Sequence, residues 1–218
     1  NNFEDWSKKP VTVKSSENNL PPSDAIVLFE GSNLDNWQYA NGDKARWNVD
    51  EKEFTVKIEE PDIYTKQSFG DCQLHVEWKI PEGGNSGIFY HLKEGIPDAG
   101  PPDISPEYQL IDDANYASIH DLTSYNESMG VKENLADLQD WQKTGADYAM
   151  HPADESQKIL HPVGEWNSTR IIFTPEKVEH WLNGKLLVSF VPWSEEWQAK
   201  KNAGKWKDAD LYGSFKTG

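Results

Sequence analysis

A chain of 218 residues with 21 basic and 37 acidic side chains carries a formal net charge of −16, with no basic cluster of the kind that binds nucleic acid or an anionic membrane. No run of 18 or more residues is apolar, so no membrane-spanning helix is expected. Cys72 is the only cysteine, which rules out an internal disulfide framework and a Cys-based zinc site, and the informative excess is aromatic, ten Trp and eight Tyr in a polar chain.

The first residues, NNFEDWSKKP, lack the apolar stretch of a signal peptide. Residues 1–24 are expected to form an N-terminal extension packed on a single domain spanning 25–218. Short β-branched or aromatic runs between Gly, Pro, Asn and Asp clusters then predict strands. AIVLF (25–29) is the first, followed by a hairpin over 45–58 that turns at Asp50, Glu51 and Lys52. CQLHVEWKI (72–80) alternates with period two, with Cys72, Leu74, Val76, Trp78 and Ile80 on one face, which predicts a half-buried antiparallel strand. SGIFYHL (86–92) and EYQLID (107–112) continue the pattern. Residues 93–106 form a Pro- and Gly-rich loop, and residues 114–168 a long loop region with a short helix near Glu133 to Trp141. Loops of this length inside a compact domain are uncommon unless they build a site. TRIIFTP (169–175) and VEHWLNGKLLVSF (178–190) are strands, the second a hairpin turning at Asn183-Gly184. WSEEWQAKKNAGKW (193–206) has helical apolar spacing. Together these elements predict an all-β fold, a sandwich of two antiparallel sheets with a few short surface helices.

In EYQLIDD (107–113) strand alternation puts Glu107, Gln109 and Ile111 on one face and Tyr108, Leu110 and Asp112 on the other. Tyr108 and Leu110 suit a core, so Glu107 and Gln109 face outward or into a cleft. Glycoside hydrolysis commonly uses two carboxyl groups about 5 to 10 Å apart. A Glu107 and Gln109 pair is one carboxylate short, and Asp112 or Asp113 would complete it only where the strand bulges or ends. The six histidines show no metal-ligand spacing, so no metal is expected. His91 and His151 could each reach a site from a strand end. No nucleophile elbow occurs, Cys72 lies on an apolar strand face, and EGGNSG precedes a strand rather than a helix, so nucleophilic Ser or Cys catalysis and nucleotide binding are disfavoured. Tryptophan faces pack against sugar C–H faces, although large β cores use Trp heavily too.

Taken in order, AIVLFEGSNLDNW, GGNSGIFYH, EYQLIDD, GADYAMHP, GEWNSTRIIF and VEHWLNG resemble the 3-keto-disaccharide hydrolase domain family, from about Ala25 to the last residue. The resemblance implies a concanavalin A-like lectin/glucanase jelly-roll sandwich that binds sugar on its concave face. It implies a glycoside hydrolase acting on a 3-keto-disaccharide or glucoside, with no cofactor. It also implies an exported periplasmic or cell-surface protein, with any lipid anchor upstream of residue 1. Members finish with a further hairpin, absent before Gly218. Carried over by position, the resemblance implies that Glu107 and His91 are catalytic, and that Asn85, Tyr90, Gln109, Asp112, Tyr148 and Asn167 bind substrate. A ketone at C3 acidifies the C2 proton, so the glycosidic bond can leave by elimination with Glu107 or His91 as base. Within GGNSGIFYH, alternation separates Tyr90 from His91, and His91 is the expected member of the binding edge beside Asn85. The alternative function is a non-catalytic carbohydrate-binding module on the same sandwich.

Overall fold

The computed structural model describes residues 21–50, 52–93, 95–96 and 99–218. The expected extension over residues 1–24 falls almost wholly outside the described residues, as does Glu51 of the expected turn. The chain divides into two compact units, residues 1–67 and 68–218.

In the first unit, β1 (Trp37–Gln38) pairs with β4 (Tyr64–Thr65), and β2 (Asn48–Asp50) pairs with β3 (Glu53–Thr55), all antiparallel. The predicted hairpin over 45–58 is present in shortened form, with Val56 and Ile58 exposed. The predicted strand at AIVLF is absent. The carbonyls of Val27 and Leu28 accept hydrogen bonds from the Asn36 amide and the Trp37 indole instead of a ladder partner, and Ile26 is 58% exposed. Leu34, Tyr39 and Ala45 form the small core, flanked by Phe29, Trp37 and Phe54.

The second unit is the expected sandwich of antiparallel sheets. One sheet contains β5 (Cys72–Trp78), β8 (Asn167–Thr174), β9 (Lys177–Leu182) and β10 (Lys185–Phe190) in the order β10-β9-β8-β5. Alternation along β5 and β8 is strict: Leu74, Val76 and Trp78 turn inward while Gln73, His75 and Glu77 are exposed. The other sheet pairs β6 (Asn85–Phe89) with β7 (Glu107–Ile111). Between them lies a core of Trp78, Tyr90, Tyr108, Leu110, Ile171, Phe173, Val178, Leu182 and Val188. Burial of such side chains at about 1.5–3 kcal/mol each is the main force holding the two sheets together.

Short helices α1 (Pro101–Ile104), α2 (Tyr116–Ile119) and α3 (Thr123–Ser128) and a 3₁₀ turn at Asp140–Gln142 lie between these strands, and α4 (Glu195–Ala203) follows the last of them. The expected helix near 133–141 is replaced by that turn. Asn126 of α3 donates to the carbonyls of Leu135 and Asp137 at 2.7 and 2.9 Å, and Asn134 adopts φ +52°, so the backbone groups a helix would use are committed elsewhere. α4 lies where helical spacing predicts one. Its Ser194 cap accepts from the Trp197 N–H, with Glu195 and Glu196 in the first turn and Lys200 and Lys201 in the last, matching the helix dipole.

Candidate functional site

The register of β6 on β7 defines the site. Asn85 is opposite Ile111, Gly87 opposite Gln109 and Phe89 opposite Glu107, so these six residues share the sheet face turned away from the core. A third segment extends this face. The Gly145 N–H donates to the Gln109 carbonyl, the Gln109 N–H to the Ala146 carbonyl, and the Tyr148 N–H to the Glu107 carbonyl, which sets Tyr148 alongside β7. Thr144 Oγ1 donates to the Ile111 carbonyl at 2.7 Å and pins the start of that segment. Over this face lies a cleft of about 480 Å³ lined by Asn85, Gln109, Ile111 and Tyr148. Its outer wall comes from the 114–144 insertion, through Tyr116, His120, Leu122, Tyr125 and Gln142. The long loop therefore builds a cavity wall, as its length suggested.

Three features of the floor carry polarity. Gln109 is 3% exposed, and its Oε1 is buried with no hydrogen-bond partner, an arrangement that costs free energy unless a ligand or water supplies a donor. The Glu107 carboxylate sits over Gly87 on the neighbouring strand, where any Cβ would overlap it. Gly87 therefore provides the space in which that carboxylate rests beside the cleft. The Tyr148 phenol shares a short hydrogen bond with Tyr125, and burial raises its pKa well above the ordinary value. Tyr148 thus holds its proton and can act as a donor.

The structure brings Asn85, Gln109 and Tyr148 to the cleft, with Glu107 next to them on the same strand face. It does not bring the other predicted residues to the cleft lining. Tyr90 points into the core and bonds His180 Nε2 at 3.0 Å, with burial raising its pKa. His91 adopts φ +54°, packs on Phe173 and meets the carbonyls of Gly70 and Phe215, and burial lowers its pKa. Asp112 is also committed: its carboxylate accepts from the Gly83, Ala114 and Asn115 N–H groups. Burial raises its pKa, but these hydrogen bonds outweigh that effect and lower it overall. Asp112 thereby anchors the Gly83 turn, φ +65°, that leads into Asn85. Asn167 accepts from the His161 N–H and the Asn183 amide and so ties the hairpin turn to the start of β8.

Neither Asp112 nor Asp113 completes a two-carboxylate pair with Glu107, since Asp113 is bonded to Lys158 at 3.0 Å and to the Thr144 N–H. Asp121 lines the cleft, but hydrogen bonds from Thr123 lower its pKa, the opposite of what a general acid requires. His151 bonds Asp147 at 2.8 Å and stacks on Phe190, which leaves it structural. Among the described residues no three His, Cys, Asp or Glu side chains gather as a metal site. No helix there is long and apolar enough to cross a membrane. The aromatic surface of the cleft is phenolic, from Tyr116, Tyr125 and Tyr148, while Trp78, Trp197 and Trp206 serve cores. Sequence reasoning missed Tyr125 and Gln142, which lie in the short helix α3 and in the 3₁₀ turn, both too short to show periodicity.

Comparison with known proteins agrees with this architecture. The sequence profile of the 3-keto-alpha-glucoside-1,2-lyase-like domain matches residues 24–217. A 3-keto-disaccharide hydrolase from Bacteroides thetaiotaomicron is 26% identical over 201 residues, which is 83% of this chain and 63% of that protein. The chain therefore spans less than two thirds of that curated relative. A candidate glycosyl hydrolase from Parabacteroides distasonis superposes with TM-score 0.73 at 37% identity over 88% of this chain and 84% of its own. A second from the same organism gives 0.58 at 28% identity over 84% and 74%. With the match running through both compact units and through every strand of the cleft, the chain belongs to the 3-keto-alpha-glucoside-1,2-lyase-like domain family.

Proposed function

We propose that the cleft binds a 3-keto-glucoside and cleaves its glycosidic bond by elimination, with Glu107 as the base. The observation that carries this reading is the arrangement, on one strand and the segment bonded beside it, of a carboxylate, an amide with an unpartnered oxygen and a phenol that keeps its proton. A hydrolase of the two-carboxylate type needs a protonated acid. The other carboxylates near the strand, Asp112, Asp113 and Asp121, are each engaged in hydrogen bonds or an ion pair. Elimination needs a base, a donor to the developing enolate and a proton for the leaving oxygen.

The chemistry follows from the ketone. Glu107 takes the C2 proton, and the C–H electrons pass to the C3 oxygen as an enolate. The enolate collapses, expels the glycosidic oxygen from C1 and leaves a C1=C2 double bond conjugated with the ketone. The leaving oxygen takes the proton that Glu107 holds, and water adds its OH at C1 and its proton at C2, which releases a 3-keto sugar and the free alcohol and returns Glu107 to its ionised form. Gln109 and Asn85 hold sugar hydroxyls, and Tyr148 donates to the ketone oxygen. The names of the family and of its Bacteroides relative support this substrate class.

The test is turnover of a 3-keto-glucoside by the wild-type protein and by Glu107→Gln. General-base loss should cut kcat by at least about 10²-fold. Unchanged turnover would remove Glu107 from the mechanism, and binding that leaves the sugar intact in the wild type would make the domain a carbohydrate-binding module.

A further inference from the structure

At the cleft wall, three donors are joined in a line, and of these the elimination reading uses only Tyr148. Lys205 follows α4 in sequence, and its Nζ donates to the Tyr125 hydroxyl at 3.3 Å. The Tyr125 hydroxyl in turn shares its short hydrogen bond with Tyr148. The lysine is held over three aromatic faces, with Nζ 4.5 Å from the Trp206 ring centroid, 4.9 Å from Tyr148 and 5.8 Å from Tyr125. Cation–π attraction to three rings fixes an ammonium that would otherwise move freely on its flexible stem.

The hydrogen-bonding capacities fix the first step of the line. An ammonium can only donate, so the Tyr125 oxygen accepts from Lys205, and its own proton becomes more polarised. The Gln142 Oε1 accepts the Gln139 N–H at 2.7 Å, which fixes the amide orientation and turns its NH₂ toward the Tyr148 phenol. Either hydroxyl can donate in the Tyr125–Tyr148 bond; where Tyr125 donates, together with the Gln142 amide, the Tyr148 oxygen is supplied as an acceptor. Its own proton then points into the cleft.

We infer that Lys205 and Tyr125 are positioning residues that polarise Tyr148 as the hydrogen-bond donor to the C3 oxygen as it becomes an enolate. This rests on the elimination reading of the cleft. The device is an oxyanion-hole donor whose strength is set from behind, by a cation that never touches substrate. The interaction gains strength only as negative charge develops, so it should appear in kcat more than in KM.

The experiment compares Lys205→Met, Lys205→Arg and Tyr125→Phe with the wild type. Met keeps the apolar stem over the rings, Arg keeps a cationic donor, and Phe keeps the ring. For a 3-keto-glucoside, Lys205→Met and Tyr125→Phe should each lower kcat about tenfold with KM changed less than about threefold, and Lys205→Arg should recover most of the loss. A second readout does not depend on turnover: tryptophan fluorescence titration with ascorbate, a planar enediolate, and with methyl α-glucoside, a neutral sugar. The Met variant should weaken ascorbate binding about tenfold and leave the glucoside unchanged. Equal kcat in Lys205→Met and wild type, equal weakening of both probes, or a wild type that does not favour the enediolate overturns the relay. Absence of wild-type turnover, with ascorbate discrimination intact and lost in Lys205→Met, refutes the elimination reading and leaves the polarised donor standing.

Discussion

The two sides of β7 look onto polar residues that have opposite prospects. Behind the strand, His180 is fully buried, with Nδ1 facing the Gly145 carbonyl at 3.0 Å and Nε2 facing the Tyr90 hydroxyl. A carbonyl can only accept, so Nδ1 carries the proton and Nε2 accepts from Tyr90, which fixes the neutral tautomer. Burial lowers its pKa in the same sense. In front of the strand, Gln109 is as buried as most of the core, yet its Oε1 has no partner, and Tyr148 opens onto a cavity. Chemical capacity therefore lies where hydrogen bonding is unfinished, and a histidine with both nitrogens engaged is architecture.

The substitution with the largest expected effect on this contrast leaves Glu107 itself intact. Gly87→Ala places a methyl group where the carboxylate rests, so the side chain must swing aside. A displacement of about 1 Å at a catalytic group costs on the order of 10²-fold in kcat, here with little change in the unfolding midpoint. Steady-state kinetics beside thermal unfolding checks this, and unimpaired turnover would show that the position of Glu107 over Gly87 is unimportant. Next in size, His180→Ala strands the Tyr90 hydroxyl and the Gly145 carbonyl and leaves a cavity. It should lose about 2–4 kcal/mol in denaturant unfolding while the folded fraction keeps its kcat. A loss below about 1 kcal/mol would contradict the structural role.

Gln109→Leu should behave in the reverse way. It removes a buried oxygen that has no partner, so stability should hold or rise, while sugar affinity falls about tenfold, the size of one lost hydrogen bond, by calorimetry. Retained affinity would exclude Gln109 from the site. The smallest effect is in pH. His180 and His91 both titrate below their ordinary value in the folded chain, so the unfolded chain binds more protons once the pH drops under about 6.5. Their contribution is complete above that pH and is lost as the pH falls toward the folded values. Denaturant midpoints at pH 7 and pH 5 should show the decline, and a flat profile would contradict it.

Strand periodicity made most of the second unit legible, because one buried face forces an alternation that survives without tertiary information. β5, β6, β7 and the β9–β10 hairpin lie where alternation and the Asn183-Gly184 turn place them. The same rule put Glu107 and Gln109 on one face and separated Tyr90 from His91. It could not say that the His91 face curls away from the cleft at a residue with positive φ, since that depends on Gly70 and Phe215, distant in sequence. Nor could it find Tyr125, Gln142 or Lys205, which come from helix α3, the 3₁₀ turn and the turn after α4 and are brought together only by tertiary packing. AIVLF failed for a related reason: its composition suits a strand, but no second strand among the described residues offers it a ladder.

The central claim, cleavage by elimination from C2, is tested most directly by running the reaction of a 3-keto-glucoside in deuterium oxide and reading the product by NMR. The elimination route predicts solvent deuterium at C2 of the released 3-keto sugar, lost together with turnover in Glu107→Gln. A product that retains its original C2 hydrogen would contradict it.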